Sequence, residues 1–214
     1  MGEVALQGTL FGGVAPGLAG PIEAERVDLA HGAWIVRVPG WLRGDQTLLD
    51  ELSASTSWHE GSRPMYERIV DIPRLTATLP RDGPGHPVLA EVCRALRERF
   101  DERFDRIGLA LYRDGRDSVA PHGDMVAREM DISVMAIVSC GARRRFLLTP
   151  AEGGGGSVAF DFGDGDLLVM GGTIQRTWRH GVPKTSRPVG PRLAIMFRPR
   201  WEAGSAQRPT ASRL

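Results

Sequence analysis

Ser157–Gly172, SVAFDFGDGDLLVMGG, is the stretch that decides the fold. Two short β-prone runs, Ser157–Phe162 and Asp166–Met170, flank the turn Gly163–Gly165, and Gly171-Gly172 closes the second run. Glycine reaches the positive-φ backbone that tight turns need, so each cluster marks a change of direction. The same signature recurs on both sides. Ile107–Tyr112, Ser133–Val138, Arg145–Leu148, Thr173–Trp178 and Arg192–Arg198 are short and β-prone, with Gly153–Gly156 as a further turn. Many short strands joined by Gly-rich turns predict an antiparallel sandwich or barrel, placed at residues 106–203. Beyond it, residues 204–214 read as a disordered tail.

Upstream the pattern differs. Val88, Leu89, Val92, Leu96 and Phe100 recur at helical spacing, which predicts one amphipathic helix at about 86–104 that buttresses a sheet with its apolar face. Ala33–Val38 has strand character, and Asp45 reads as the N-cap of a short helix through Leu48, Leu49 and Leu52. Trp58–Pro80 carries no helical period and reads as a long irregular stretch with short strands, a type of segment that is often functional. Residues 1–30, rich in Gly and Pro, read as an arm over the surface, and 31–105 as an N-terminal extension. The fold class is α+β, mainly β.

The chain has 214 residues, 42% apolar and 25% charged, with a net charge of +1. These values fit one soluble domain and supply no polycationic field for nucleic acid, so any such surface must be a local patch. Cys93 and Cys140 form no Cys-x-x-Cys pair and read as ordinary thiols of a reducing cytoplasm. Met1–Val4 lacks the basic start of a secretory signal, and no apolar run approaches the roughly 20 residues of a membrane span.

Chemistry is concentrated at two places. In His122-Gly123-Asp124 an imidazole and a carboxylate stand two positions apart, and an extended backbone sends both to the same side. With His180 as a third donor, they would form a facial set of two histidines and one carboxylate, which leaves three positions open on iron(II). A surface turn and a buried structural histidine are the plain alternatives. His31, His59 and His86 lie in polar, Gly- or Pro-rich contexts and read as solvated. The second place is Pro191–Arg198, PRLAIMFR. Alternation puts Arg192, Ala194, Met196 and Arg198 on one face, opposite Leu193, Ile195 and Phe197. An arginine fork on such a face can bind a carboxylate bidentately, against the alternative of a solvated outer face.

Taken together, Gly108–Asp124 (GLALYRDGRDSVAPHGD), Gly171–Lys184 (GGTIQRTWRHGVPK) and Pro191–Pro199 resemble the AlkB family of Fe(II)/2-oxoglutarate-dependent dioxygenases. Arg63–Pro80 (RPMYERIVDIPRLTATLP) resembles that family's nucleotide-recognition lid, at about 58–80. The resemblance implies a double-stranded β-helix, or jelly-roll, flanked by N-terminal helices. It assigns His122, Asp124 and His180 to Fe(II), and Arg192 with the Tyr112 hydroxyl to the distal carboxylate of 2-oxoglutarate. Arg198 would stand near Asp124 and the metal-side end of that cosubstrate. With O2, such a site would dealkylate N-alkylated bases oxidatively in single- or double-stranded DNA, with RNA as a further substrate class. The alkyl group would leave as an aldehyde, with succinate and CO2. Substrate contacts would come from Met65, Tyr66, Arg68 and Arg74, from Trp178 beside His180, and from Glu129 and Asp131 toward a cationic base. A monomer is expected.

Departures from the family pattern are Ala110 and Ala194, where hydrogen-bonding residues are frequent, and Leu79, where an aromatic is frequent. The competing readings are a hydroxylase acting on a protein or small metabolite, and a non-catalytic jelly-roll binding module. Arg143-Arg144-Arg145 reads either as a phosphate-contacting turn or as a solvated face.

Overall fold

The computed structural model describes residues 13–65, 68–80, 85–100, 104–124, 130–153 and 156–199, with the backbone alone at 62–65 and 68–72. Its organising strand is the one with alternating arginines, β14 (Arg192–Pro199), which lies between β9 (Ser133–Gly141) and β7 (Phe104–Tyr112). Every pairing is antiparallel. On one side the sheet continues from β9 through β12 (Asp166–Gly172) and β3 (Ala33–Val38) to β2 (Arg26–Asp28). On the other it continues from β7 through β6 (Arg68–Thr78) to β5 (His59–Met65), making eight strands. A second sheet of four has the order β11 (Val158–Phe162), β10 (Arg144–Pro150), β13 (Trp178–Val182), β8 (Val119–His122). Two small strands, β1 (Gly17–Leu18) and β4 (Leu42–Arg43), pair separately.

The two faces of the large sheet explain the layering. Leu193, Ile195 and Phe197 project to the outer face and join Leu109, Leu111, Val138 and Val169 in one cluster. That cluster is closed by Leu48, Leu49 and Leu52 of α1 (Asp45–Ser55) and by Val88, Leu89, Val92 and Leu96 of α2 (Pro87–Phe100). Burying each such side chain is worth about 1.5–3 kcal/mol, so this layer carries much of the stability. The inner face bears Ala110, Tyr112, Met135, Ile137, Leu168 and Ala194, which meet Phe146, Leu148, Phe160, Phe162 and Trp178 of the small sheet. Helices, large sheet and small sheet thus form a jelly-roll with one buttressed side. Ala194 is the cross-strand partner of Ala110, so the two departures from the family pattern lie side by side on the inner face.

Several expectations need correction. Thr173–Trp178 is not a strand: the chain makes a helical turn, α3 (Ile174–Thr177), before β13 begins at Trp178. Gly172 turns the backbone at φ +71°, and the Thr173 carbonyl accepts the N–H groups of Arg176 and Thr177 at 2.9 and 3.0 Å. These local bonds, with the tertiary tie from Thr173 Oγ1 to the His31 carbonyl at 2.6 Å, override the β-propensity of the segment. Trp58–Pro80 is more regular than its sequence suggests, because β6 finds long-range partners on β7, such as Thr76 opposite Ala110. Asp45 is not the cap of α1. Gly44, at φ +64°, occupies that position, and the Asp45 carboxylate accepts the Gly141 N–H at 2.8 Å, tying α1 to the end of β9. Helix α2 is described as far as Phe100, residues 101–103 lie outside the described residues, and Phe104 already belongs to β7. Residues 1–12 of the arm and the tail from 204 lie outside the described residues. Among those described, no helix is long and apolar enough to cross a membrane.

Candidate metal and cosubstrate site

His122 ends β8, and His180 stands opposite it on β13 as its cross-strand partner. Their rings lie 4.3 Å apart between centroids, tilted by 47°. Asp124, two residues beyond His122, returns to the same place, and donor atoms of the three residues all lie within 4.8 Å of one another. Local chemistry prepares each donor. His122 Nδ1 lies 3.0 Å from the Ala120 carbonyl oxygen. A carbonyl can only accept, so that nitrogen carries the proton and Nε2 keeps its lone pair for a metal. His180 is buried with the Phe146 ring stacked at 6.0 Å. Burial, reinforced by the neighbouring His122, pushes its pKa down to about 3. Burial likewise lowers His122. Both imidazoles are therefore neutral at physiological pH, the form that ligates.

Asp124 behaves oppositely. Burial alone would raise its carboxyl, but the charge and hydrogen bond of Arg198 carry it below the ordinary carboxylate range. Arg198 Nε donates to Asp124 Oδ2 at 2.6 Å. Asp124 Oδ1 takes no hydrogen bond from the described residues, and remains free to ligate. Two neutral imidazoles and one carboxylate, gathered within ligating distance, are a donor set suited to a divalent metal with open positions.

On the same strand as Arg198, β14, lies Arg192, 1% exposed. Its Nε donates to Ser139 Oγ at 2.7 Å and to the Phe162 carbonyl at 3.3 Å. Its guanidinium lies over the rings of Tyr112 and Phe162, 5.0 and 5.4 Å from their centroids. Nη1 is buried without a hydrogen-bond partner among the described residues. A buried guanidinium N–H without an acceptor costs free energy, about 1–3 kcal/mol or more, so the arrangement fits an anion that completes it. The distal carboxylate of a keto acid is such an anion. Arg74 has a comparable donor: Nη1 reaches the Ser118 carbonyl at 3.2 Å, while buried Nε has no partner among the described residues. Its positive charge further disfavours the protonated forms of His122 and His180.

Other positions named from sequence separate into three groups. Tyr66 and Glu129 lie outside the described residues, and of Met65 and Arg68 only the backbone is described, where they pair across the hairpin end. Asp131 is on the surface, its carboxylate paired with Arg176 Nη1 at 2.7 Å. Trp178 shares the inward face with His180 but is buried in the inner core, and its indole N–H donates to the Ala30 carbonyl at 3.1 Å. Of the arginine run 143–145, Arg143 and Arg145 are exposed, but Arg144 fits neither a phosphate-contacting turn nor a solvated face. Arg144 is buried and donates to the carbonyls of Asp114, Asp117 and Pro183 at 2.8–2.9 Å, clamping two loops together. Ser139 and Gln175 escaped the sequence reading. Ser139 could have been noticed as a hydroxyl within the apolar run of β9, whereas nothing local marks Gln175.

Fold and donor set define a class, the jelly-roll oxygenases that work with iron and a keto acid. A family model of the 2OG-Fe(II) oxygenase superfamily matches residues 46–200, and the chain belongs to that superfamily. It is therefore a 2-oxoglutarate-dependent dioxygenase that uses Fe(II), 2-oxoglutarate and O2. Within the superfamily it is homologous to the AlkB homologs. It is 28% identical over 198 residues to alpha-ketoglutarate-dependent dioxygenase alkB homolog 3 of Homo sapiens, covering 83% of this chain and 67% of that protein. It is 25% identical over 213 residues to the DNA oxidative demethylase ALKBH2 of Arabidopsis thaliana, covering 80% of this chain and 68% of that protein. The chain thus spans about two thirds of the length of these relatives. The solved structure of OsALKBH1 shares the fold, with a TM-score of 0.55 at 15% identity, over 82% of this chain and 100% of that one.

Proposed function

We propose that this dioxygenase removes alkyl groups oxidatively from N-alkylated bases of nucleic acid, DNA first, with His122, Asp124 and His180 holding Fe(II). The observation that carries the reading is the three-residue donor set, tied through Asp124 to Arg198 on the same strand that bears the buried, incompletely satisfied Arg192. When bound, iron would couple the reduction of O2 to the oxidative decarboxylation of 2-oxoglutarate to succinate and CO2, one oxygen atom going to succinate and the other converting an N-alkyl C–H into C–OH, after which the product would release an aldehyde.

The protein's residues position and enclose. Arg192 and Tyr112 fix the distal end of 2-oxoglutarate, and Arg198 keeps Asp124 ionised and oriented. Arg74, on β6 within the lid segment, offers its free N–H to an acceptor on the bound nucleotide. The relatives named for DNA demethylation and the lid segment support a nucleic-acid substrate. The wild-type and His122→Ala proteins should be compared for aldehyde release from methylated single-stranded DNA, methylated RNA and free methylated nucleosides. The expected outcome is release from DNA by wild type and none by the variant. Iron-dependent turnover of 2-oxoglutarate without product from any nucleic acid would shift the substrate to a protein side chain or metabolite.

A further inference from the structure

Asp124 is gripped at two points, and only one of them is its side chain. Arg198 holds the carboxylate, while the backbone N–H of Asp124 donates to Oε1 of Gln175 at 2.8 Å. Gln175 is 2% exposed, on the helical turn α3 between β12 and β13. Its Nε2 faces Met135 Sδ at 2.7 Å. An N–H needs an acceptor, so the end of the amide toward Asp124 is the oxygen, and the NH2 end is left with a thioether, a weak acceptor. Packing does not account for an amide in this position. Methionine or leucine would fill the same apolar surroundings without desolvating an amide, whose burial costs free energy unless a strong hydrogen bond offsets it. Among the described residues, the one strong bond that the Gln175 side chain makes is to the metal-ligand segment.

The turn that carries Gln175 is itself held firmly. Thr173 Oγ1 donates to the His31 carbonyl at 2.6 Å, and the Thr173 carbonyl accepts from Arg176 and Thr177. Five residues beyond Gln175 the chain reaches His180. One buried amide therefore links the segment that bears Asp124 to the segment that leads into His180.

We infer that Gln175 is a positioning residue for the metal centre, fixing the main chain of Asp124 as Arg198 fixes its carboxylate. The inference rests on the metal assignment proposed above. Without the amide oxygen, the Asp124 N–H loses its partner and the carboxylate its fixed base. Loss of such an outer hydrogen bond typically weakens metal binding by about 10–100-fold. Glutamic acid is the informative conservative change, since its carboxyl presents an oxygen to the Asp124 N–H whether ionised or neutral.

Mn(II) binding to the metal-free full chain, followed by the EPR signal of the free ion, tests this in four proteins: wild type, Gln175→Met, Gln175→Glu and His122→Ala. Thermal melting of each metal-free protein accompanies it. Gln175→Met should weaken Mn(II) binding by about 10–100-fold while melting within a few degrees of wild type, and Gln175→Glu should restore most of the affinity. Wild-type affinity in Gln175→Met, or equal losses in the Met and Glu variants, would overturn the role of Gln175 alone. Equal Mn(II) affinity in wild type and His122→Ala would instead overturn the metal assignment beneath it. Should Gln175→Met not yield folded protein, Gln175→Asn, one methylene short of the Asp124 N–H, carries the same expectation.

Discussion

The two faces of β14 are built from alternate residues of one eight-residue strand, yet they obey different rules. On the outer face Leu193, Ile195 and Phe197 are each 0% exposed and are covered by the two helices. On the inner face Arg192 is as deeply buried as they are, but one of its nitrogens has no partner among the described residues, and Arg198 is engaged with the carboxylate of Asp124, just beyond β8 of the small sheet. The outer face is finished as it stands. The inner face keeps a buried donor that a bound carboxylate would satisfy. Stability is thus concentrated on one side of the strand and chemistry on the other, and a substitution should report which side it touches.

Leu193→Ala attacks the outer face. Removing a fully buried leucine should cost about 2–5 kcal/mol of stability, measured by urea unfolding, while the KM for 2-oxoglutarate of the folded fraction stays near wild type. A large KM change with little loss of stability would break the division between faces. Arg192→Met attacks the inner face. Its loss removes a charge-assisted contact, so 2-oxoglutarate binding should weaken by roughly 100-fold. Stability should hold or rise, because a costly buried charge has been replaced by an apolar chain of similar size. Calorimetric titration beside a melting curve reads both, and destabilisation with unchanged cosubstrate affinity would reverse the assignment of this face.

A smaller effect comes from pH. In the metal-free protein His180 has its pKa pushed from the ordinary 6.5 to about 3, chiefly by burial. Between those values the unfolded chain binds a proton that the folded chain refuses, so stability is present above pH 6.5 and falls as pH drops through that window. The slope from this one group is about 1.4 kcal/mol per pH unit. Asp124, with its pKa lowered, adds a further loss only below the ordinary carboxylate range. His180→Gln should flatten the decline of melting temperature between pH 6.5 and 4.5, and an unaltered decline would show that His180 is not its source.

The comparison also explains what could be read from the sequence. Alternation in Arg192–Arg198 is a local pattern, so both faces of β14 were legible, as was the Val88–Phe100 stripe of α2. His-x-Asp was legible as a pair, but the meeting of His122 with His180 depends on the β8–β13 pairing, which the resemblance anticipated and local spacing alone did not. What stayed hidden was set by tertiary contact. The turn α3 exists because Gly172 and the His31 carbonyl shape it, and Arg144 is buried because three carbonyls from distant loops receive it. Gln175 resembles any surface glutamine until the Asp124 N–H is seen against it.

The central claim is that the inner face assembles one site for iron and keto acid. Anaerobic addition of Fe(II) and 2-oxoglutarate, followed by the visible charge-transfer absorption of a keto acid chelated to iron, tests it most directly. Wild type should develop the band, Arg192→Met should need far more 2-oxoglutarate to reach it, and His122→Ala should not form it. A band of wild-type strength and concentration dependence in both variants would contradict the account.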